Sequence, residues 1–167
     1  TFLFLLFVAT QLPAQTIVFN DDWQFQKGDL PGSQWRQVNL PHDWSIEGPF
    51  SNQWASGTGF LPGGIGWYRK EFSLTQVTPG DKVFIYFDGV YKNSEVYLNG
   101  RLLGKRPNGY ISFQYDMTPH LKKGKNVLEV KTDHSKFADS RWYPGSGIYR
   151  NVYLIIKKPV HIPNWGV

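Results

Sequence analysis

From Thr16 onward, apolar and polar residues alternate in short runs separated by Gly, Pro, Asn and Asp. A period of two is the pattern of strands with one buried face. It predicts strands at Trp23–Gln26, Gln37–Asn39, Gly66–Ser73, Lys82–Asp88, Ser94–Leu98, Arg101–Lys105, Ser112–Tyr115, Asn126–Thr132 and Asn151–Lys157. Asn99-Gly100, set between Val96-Tyr97-Leu98 and Arg101-Leu102-Leu103, predicts a type I′ hairpin, because both residues tolerate positive φ. Asp116-Met117-Thr118-Pro119-His120-Leu121 predicts one short helical turn, with Asp or Thr as cap and Pro119 at its first position. The turn must be short, since Lys122-Lys123-Gly124-Lys125-Asn126 leads straight into the next strand. Many strands with almost no helix imply an all-β jelly-roll sandwich rather than a βαβ fold. Asp43–Gly66 is rich in turn formers and predicts a long ordered or functional loop.

Composition narrows this picture. The chain has 167 residues, enough for one domain with a substantial core, and 17% of them are aromatic: seven Trp, nine Tyr and twelve Phe. Large rings fit pleated surfaces, which supports the β reading. There is no Cys, which excludes disulfides and thiolate metal sites. The net charge of +5 comes from cations such as Lys105-Arg106, Lys122-Lys123-Lys125 and Lys157-Lys158, at predicted turns and strand ends. No nucleic-acid motif accompanies them, so they read as a solvated surface and no nucleic-acid partner is expected.

Both termini depart from the strand pattern. Thr1–Thr16 holds the apolar run Phe2–Ala9 and then a short polar stretch, too short for a membrane span and similar to the core and cleavage region of a secretory signal. Residues 1–14 are therefore expected to be a signal peptide lacking its Met and basic start, cut after Ala14, with export to a bacterial periplasm or surface. A buried N-terminal strand is the competing reading. Residues 15–159 form the expected domain, and Val160–Val167, after Pro159, is expected to begin a further, truncated one.

The residues offer no self-contained catalytic machinery. Glycoside hydrolysis needs two carboxylates facing one another across a sugar, but Asp21-Asp22, Asp81 and Asp133 sit in turn-like contexts and Asp88 precedes Gly89 at a strand end. His42, His120, His134 and His161 show no i,i+4 pairing, so no metal is expected. Gly145-Ser146-Gly147 lacks the glycine spacing of a nucleophile elbow. Gly57-Thr58-Gly59 has Pro62 where a dinucleotide fingerprint needs Gly, so no cofactor is expected. What stands out is Ser140-Arg141-Trp142-Tyr143-Pro144-Gly145-Ser146-Gly147-Ile148-Tyr149-Arg150, which combines guanidinium groups and aromatic rings with loop formers. Such a loop can offer a sugar flat faces and fixed donors. Equally, Trp142 and Tyr149 can be core rings and the two Arg a surface coat.

Phe87-Asp88-Gly89-Val90-Tyr91-Lys92-Asn93-Ser94-Glu95-Val96-Tyr97-Leu98-Asn99-Gly100-Arg101-Leu102-Leu103-Gly104 resembles the N-terminal sugar-binding domain of glycoside hydrolase family 2. Leu40-Pro41-His42-Asp43-Trp44, Gly64-Ile65-Gly66-Trp67-Tyr68-Arg69-Lys70, Gly109-Tyr110 and the stretch ending at Arg150 match the same family in the same order, over about residues 17 to 159. The likeness is strongest to secreted β-galactosidases of Bacteroides-type bacteria. It implies a jelly roll followed by an immunoglobulin-like domain and a TIM barrel, the barrel carrying the two Glu of retaining hydrolysis. Val160–Val167 would open the immunoglobulin-like domain, and no catalytic residue would lie in this chain. A homo-oligomer of the full-length enzyme is left open.

The resemblance implies accessory substrate contacts from this domain. The position seven before Ile148, an Asp that touches substrate in well-known members, is Arg141 here, an exchange of acceptor for donor. The Arg-Trp-Tyr form is found in the Bacteroides and streptococcal branch, which makes Arg141 and Trp142 the expected sugar contacts. The family's Asn after Asp88-Gly89-Val90 is replaced by Tyr91, and Asn93, two residues on, would share its strand face. Both join the candidate list. His42, Asp43 and Trp44 are expected to be structural, Trp44 in the core and Asp43 bonded to loop backbone. Three readings follow: the substrate-positioning domain of a β-galactosidase, or of the related β-glucuronidases or β-mannosidases; a stand-alone carbohydrate-binding module or lectin; and a purely structural domain.

Overall fold

The computed structural model describes residues 14–32, 34–75, 77–136 and 140–166, so the expected leader run Phe2–Ala9 lies outside the described residues. Among the described residues ten strands are found: β1 (Gln15–Val18), β2 (Trp23–Lys27), β3 (Arg36–Val38), β4 (Gly64–Ser73), β5 (Lys82–Phe87), β6 (Ser94–Leu98), β7 (Arg101–Arg106), β8 (Phe113–Asp116), β9 (Lys125–His134) and β10 (Val152–Lys157). They form a four-stranded sheet ordered β1-β10-β5-β8 and a six-stranded sheet ordered β3-β2-β4-β9-β6-β7. The fold is the expected all-β sandwich.

Alternation builds the core. Asn126, Leu128, Val130, Thr132 and His134 are the buried positions of β9, which pairs with β4 along its full length, from Gly64↔His134 to Ser73↔Lys125. From the other sheet β5 turns Val83, Ile85 and Phe87 inward. Phe87 stacks on Phe113 with ring centroids 5.1 Å apart, and both are fully buried. Each such side chain contributes about 1.5–3 kcal/mol by leaving water. Asn99 (φ 53°) and Gly100 (φ 79°) form the predicted hairpin turn. The helical turn spans Thr118–His120, and Asp116 Oδ1 accepts from Thr118 N at 2.8 Å. Asp43–Gly66 is a long ordered connection holding one short 3-10 turn at Ser56–Thr58.

Two features differ from the sequence reading. Gln15–Val18 is a strand although its residues are largely exposed; its pairing with β10 creates it, and no buried face marks it in the pattern. Asp133 lies within β9 rather than in a turn, and its amide donates to Lys92 O (2.9 Å). Only its carboxylate behaves locally, accepting from Ser135 N and Oγ. Beyond β10, residues 160–166 are turns and irregular backbone. They lie over the outer face of the four-stranded sheet, where Asn164 Nδ2 donates to Gln114 Oε1 (2.7 Å) and Trp165 approaches Tyr86 (6.0 Å).

One segment ties the loops together. The backbone of Ser146–Ile148 accepts from His42 N at Ile148 O (2.8 Å) and from Trp44 N at Ser146 O (3.1 Å), while Gly147 exchanges both of its bonds with Tyr91 (2.7 and 2.9 Å). A Cβ on Gly147 would stand 2.2 Å from Tyr68 Oη and 2.8 Å from His42 O, and its φ is +118°. Beneath it Trp44 is buried, as expected. Tyr68 Oη lies 2.8 Å from His42 Nδ1, and His42 Nε2 lies 3.1 Å from Glu47 Oε1. Burial raises the Tyr68 pKa well above that of an ordinary phenol, so its hydroxyl stays protonated, within reach of both His42 Nδ1 and His42 O (3.3 Å). Burial also lowers the His42 pKa, outweighing the pull of Glu47.

Three outcomes follow for the fold. Gly147→Ala is expected to destabilise by about 2–4 kcal/mol in urea unfolding, since it combines a clash with a forbidden φ. Gly124→Ala, with φ +80° but nothing within 4 Å, should cost about 1–2 kcal/mol. For His42, a folded pKa below the unfolded 6.5 means the unfolded chain takes up the proton first as pH falls. Its contribution is therefore fully present above pH 6.5 and is lost below it. His42→Gln should flatten the fall in stability between pH 7 and pH 5, measured by urea midpoints across that range.

Candidate functional site

Three connections converge at one end of the sandwich: residues 88–93 between β5 and β6, 107–112 between β7 and β8, and residues 140–151 of the connection between β9 and β10. Cross-links hold them together. Asn93 N donates to Pro107 O (3.2 Å), Tyr149 Oη donates to Gly109 O (2.8 Å), and the Tyr91–Gly147 pair joins the first connection to the third. Asn108 Oδ1 accepts from Tyr110 N and Ile111 N, a local turn that lifts the next two side chains outward.

The result is an exposed aromatic rim. Trp142 is 61% exposed, with Tyr110 (45%), Tyr143 (41%) and Ile111 (55%). Arg141 is exposed beside Trp142. Trp142 Nε1 donates to Tyr110 Oη (3.0 Å), and Ser140 Oγ donates to Trp142 O (2.7 Å). The loop is therefore shaped before any ligand arrives. Tyr143 Oη donates to Asp43 Oδ2 (2.5 Å); burial, and then this bond, raise its pKa far above the usual phenol. It remains a neutral donor at any physiological pH. Flat faces with polar edges beside an exposed guanidinium suit a polyhydroxylated ligand: C–H surface against the rings, hydroxyl oxygens toward the donors.

The structure separates the four candidate residues. Arg141 and Trp142 stand at the rim, open to solvent. Trp142 is thus no core ring, while Tyr149 is partly buried. Tyr91 is only 4% exposed. Its ring meets Tyr110 edge-on (5.4 Å) and His134 (5.1 Å), so it supports the rim from below and has no face left for a sugar. Asn93 is exposed, but its amide already donates to Asp133 O (3.0 Å) and braces the loop against β9. The second half of the Ser140–Arg150 stretch, Gly147-Ile148, turns inward and leads to β10, with Ile148 fully buried. Tyr110 and Tyr143 were not among the expected contacts. The signal for Tyr110 is a large ring directly after Asn108-Gly109, where a turn leaves it no core to enter.

A groove of about 670 Å³ lies elsewhere, at the end of β2, lined by Phe25, Gln26, Lys27, Arg36, Trp44 and Glu47 among others. Its charges are already engaged. Arg36 is paired with Glu47 and lies over Phe25 (5.1 Å), and Lys27 covers the Trp44 ring (4.7 Å). The rim, with open rings and an open guanidinium, is the better ligand surface. Among the described residues no group of three or more His, Cys, Asp or Glu could hold a metal ion.

Comparison with known proteins places this surface in context. A β-galactosidase of Bacteroides ovatus is 52% identical over 165 residues, covering 92% of this chain and 19% of that protein. A β-glucuronidase of Bacteroides fragilis is 32% identical, covering 93% of this chain and 23% of that protein. The crystal structure of a β-glycosidase from Bacteroides vulgatus superposes with a TM-score of 0.85 at 53% identity, covering 90% of this chain and 21% of that one. The chain thus spans about a fifth of the length of these relatives. Residues 8–159 match the model of the sugar binding domain of glycosyl hydrolases family 2. With that match over most of its length, and a sandwich whose loops gather into an aromatic rim, the chain belongs to the glycosyl hydrolase family 2 sugar binding domains.

Proposed function

We propose that this chain is the substrate-positioning domain of an exported β-galactosidase, which removes terminal β-linked galactose with retention of configuration. The observation that carries the reading is the pre-shaped rim of Arg141 and Trp142, exposed at the loop end of a family 2 domain. The two carboxylates of retaining hydrolysis would sit on a TIM barrel elsewhere in the full protein, beyond an immunoglobulin-like domain. Arg141 would donate to sugar hydroxyls and Trp142 would lie against the ring's C–H face. Contacts of this kind lower the barrier when they strengthen toward the transition state. Galactose is favoured by the 52% identity to a β-galactosidase. Export is supported by the apolar run Phe2–Ala9 and the small-residue site at Ala14.

A second reading, a β-glucuronidase, draws on one feature of the rim. An exposed guanidinium can engage a uronate carboxylate through two parallel hydrogen bonds, and β-glucuronidases are among the relatives. Both readings give Arg141 the same place and differ in the group it meets.

In the full-length enzyme Arg141→Ala is expected to lower kcat/KM on nitrophenyl glycosides by roughly tenfold or more, with the thermal unfolding midpoint unchanged. Unaltered kinetics would remove Arg141 from the substrate contacts. The same assay on nitrophenyl β-galactoside and β-glucuronide separates the two readings. The isolated domain is expected to bind galactosides weakly or not at all by calorimetry, since most of the pocket would lie on other domains; binding as tight as that of the whole enzyme would instead favour a lectin.

A further inference from the structure

Asp43 makes hydrogen bonds that the structural role expected of it does not exhaust. Its Oδ1 accepts from Ser45 N (3.0 Å) within its own loop and from Ser146 N (2.9 Å), 103 residues away. Its Oδ2 accepts from Tyr143 Oη (2.5 Å). The last two donors stand just after Arg141-Trp142, so one carboxylate grips the distal side of the loop that presents the rim. The approach is close: at Gly145, with φ +73°, a Cβ would stand 2.7 Å from Asp43 Oδ2. A side chain there would displace the carboxylate. The grip continues inward, because Ser45 Oγ donates to Pro62 O (2.8 Å) and lies 2.6 Å from Ser146 Oγ, which in turn meets His134 Nδ1 (2.7 Å).

Among the described residues the proximal side of the loop is held by neutral bonds and by close packing of the Ser140 backbone on Gly57. Ser140 bonds within the loop, and Trp142 reaches out to Tyr110, itself an exposed ring. Tyr110 in turn rests edge-on against buried Tyr91 (5.4 Å), so this side is held by neutral contacts. Charge-assisted bonds from a carboxylate are roughly twice as strong as neutral ones, so Asp43 provides the strongest hold near Arg141 among the described residues.

We propose that Asp43 is the positioning residue of this site, acting on substrate through the loop that carries Arg141 and Trp142 rather than touching the sugar. Without it, Tyr143 and the Ser146 amide lose their acceptor and the rim samples other shapes, so binding must also order the loop. The effect on catalysis rests on the substrate-contact reading of Arg141; the clamp itself does not.

The experiment uses the full-length enzyme, nitrophenyl β-galactoside as probe, and amide hydrogen exchange over residues 140–147. Asp43→Ala is expected to speed exchange at Gly145–Gly147 by roughly tenfold and to lower kcat/KM by a similar factor. Asp43→Asn keeps Oδ1 for the Ser45 and Ser146 amides and should restore most of both. Tyr143→Phe removes a single bond and should fall between them, which keeps the test open even if Asp43→Ala does not fold. Combined with Arg141→Ala, the Asp43→Ala loss should be less than multiplicative, because both act through one loop. Unchanged exchange in Asp43→Ala, or in Tyr143→Phe where the former is unfolded, overturns the clamp, and fully multiplicative losses overturn its action through Arg141. Full activity in Arg141→Ala alone would sink the substrate-contact reading, while faster exchange in Asp43→Ala would still support the clamp.

Discussion

Between Ser146 and Ile148 the backbone bonds to two other segments at once, and it can do so because Gly147 carries no side chain. On one side lie His42 and Trp44, on the other Tyr91, and behind stands the hydroxyl of buried Tyr68. Three connections that are distant in the chain are thereby brought within hydrogen-bond reach. Any Cβ at this point would push one of them away. The fixed floor this creates is what lets the more exposed residues on either side take up a defined shape.

The floor and the rim divide the chemistry between them. Inward from Gly147, Ser45, Ser146 and His134 form one buried chain of bonds, and half-buried His42 joins buried Tyr68 to exposed Glu47 in another. Buried donors and acceptors are costly to leave unmatched, so these networks favour a single arrangement. Outward, Arg141, Trp142 and Tyr110 keep their rings and charge in solvent. A surface of this composition has little reason to persist for folding alone. Asp43 joins the two zones, since one oxygen serves backbone near the floor and the other holds Tyr143 at the rim.

Parts of this were legible in the residues. The Asn99-Gly100 turn and the inward Leu128 and Val130 of β9 follow from local rules that no tertiary contact overrides. Trp44 in the core and Asp43 on loop backbone were also anticipated. Other parts were hidden. β1 has no buried face to signal it, because hydrogen bonding to β10 makes it a strand. Tyr91 stands where a family likeness pointed to a substrate contact, yet it packs beneath Tyr110; an aromatic side chain at that position reaches hydrophobic cover that a shorter amide would not. Asp133 looks like a turn residue by composition but lies in the long β4–β9 ladder.

By itself the sequence determined the class of the fold, the places of most strands, and the loop in which aromatic rings and guanidinium groups are concentrated, because period, turn chemistry and residue type are properties of neighbouring residues. Tertiary structure alone decided which rings face solvent and which support them, and that Asp43 reaches Ser146 across 103 positions. Exposure and long-range pairing depend on how two sheets close over a shared core, and the free energy of that closure is not written in any one stretch of chain.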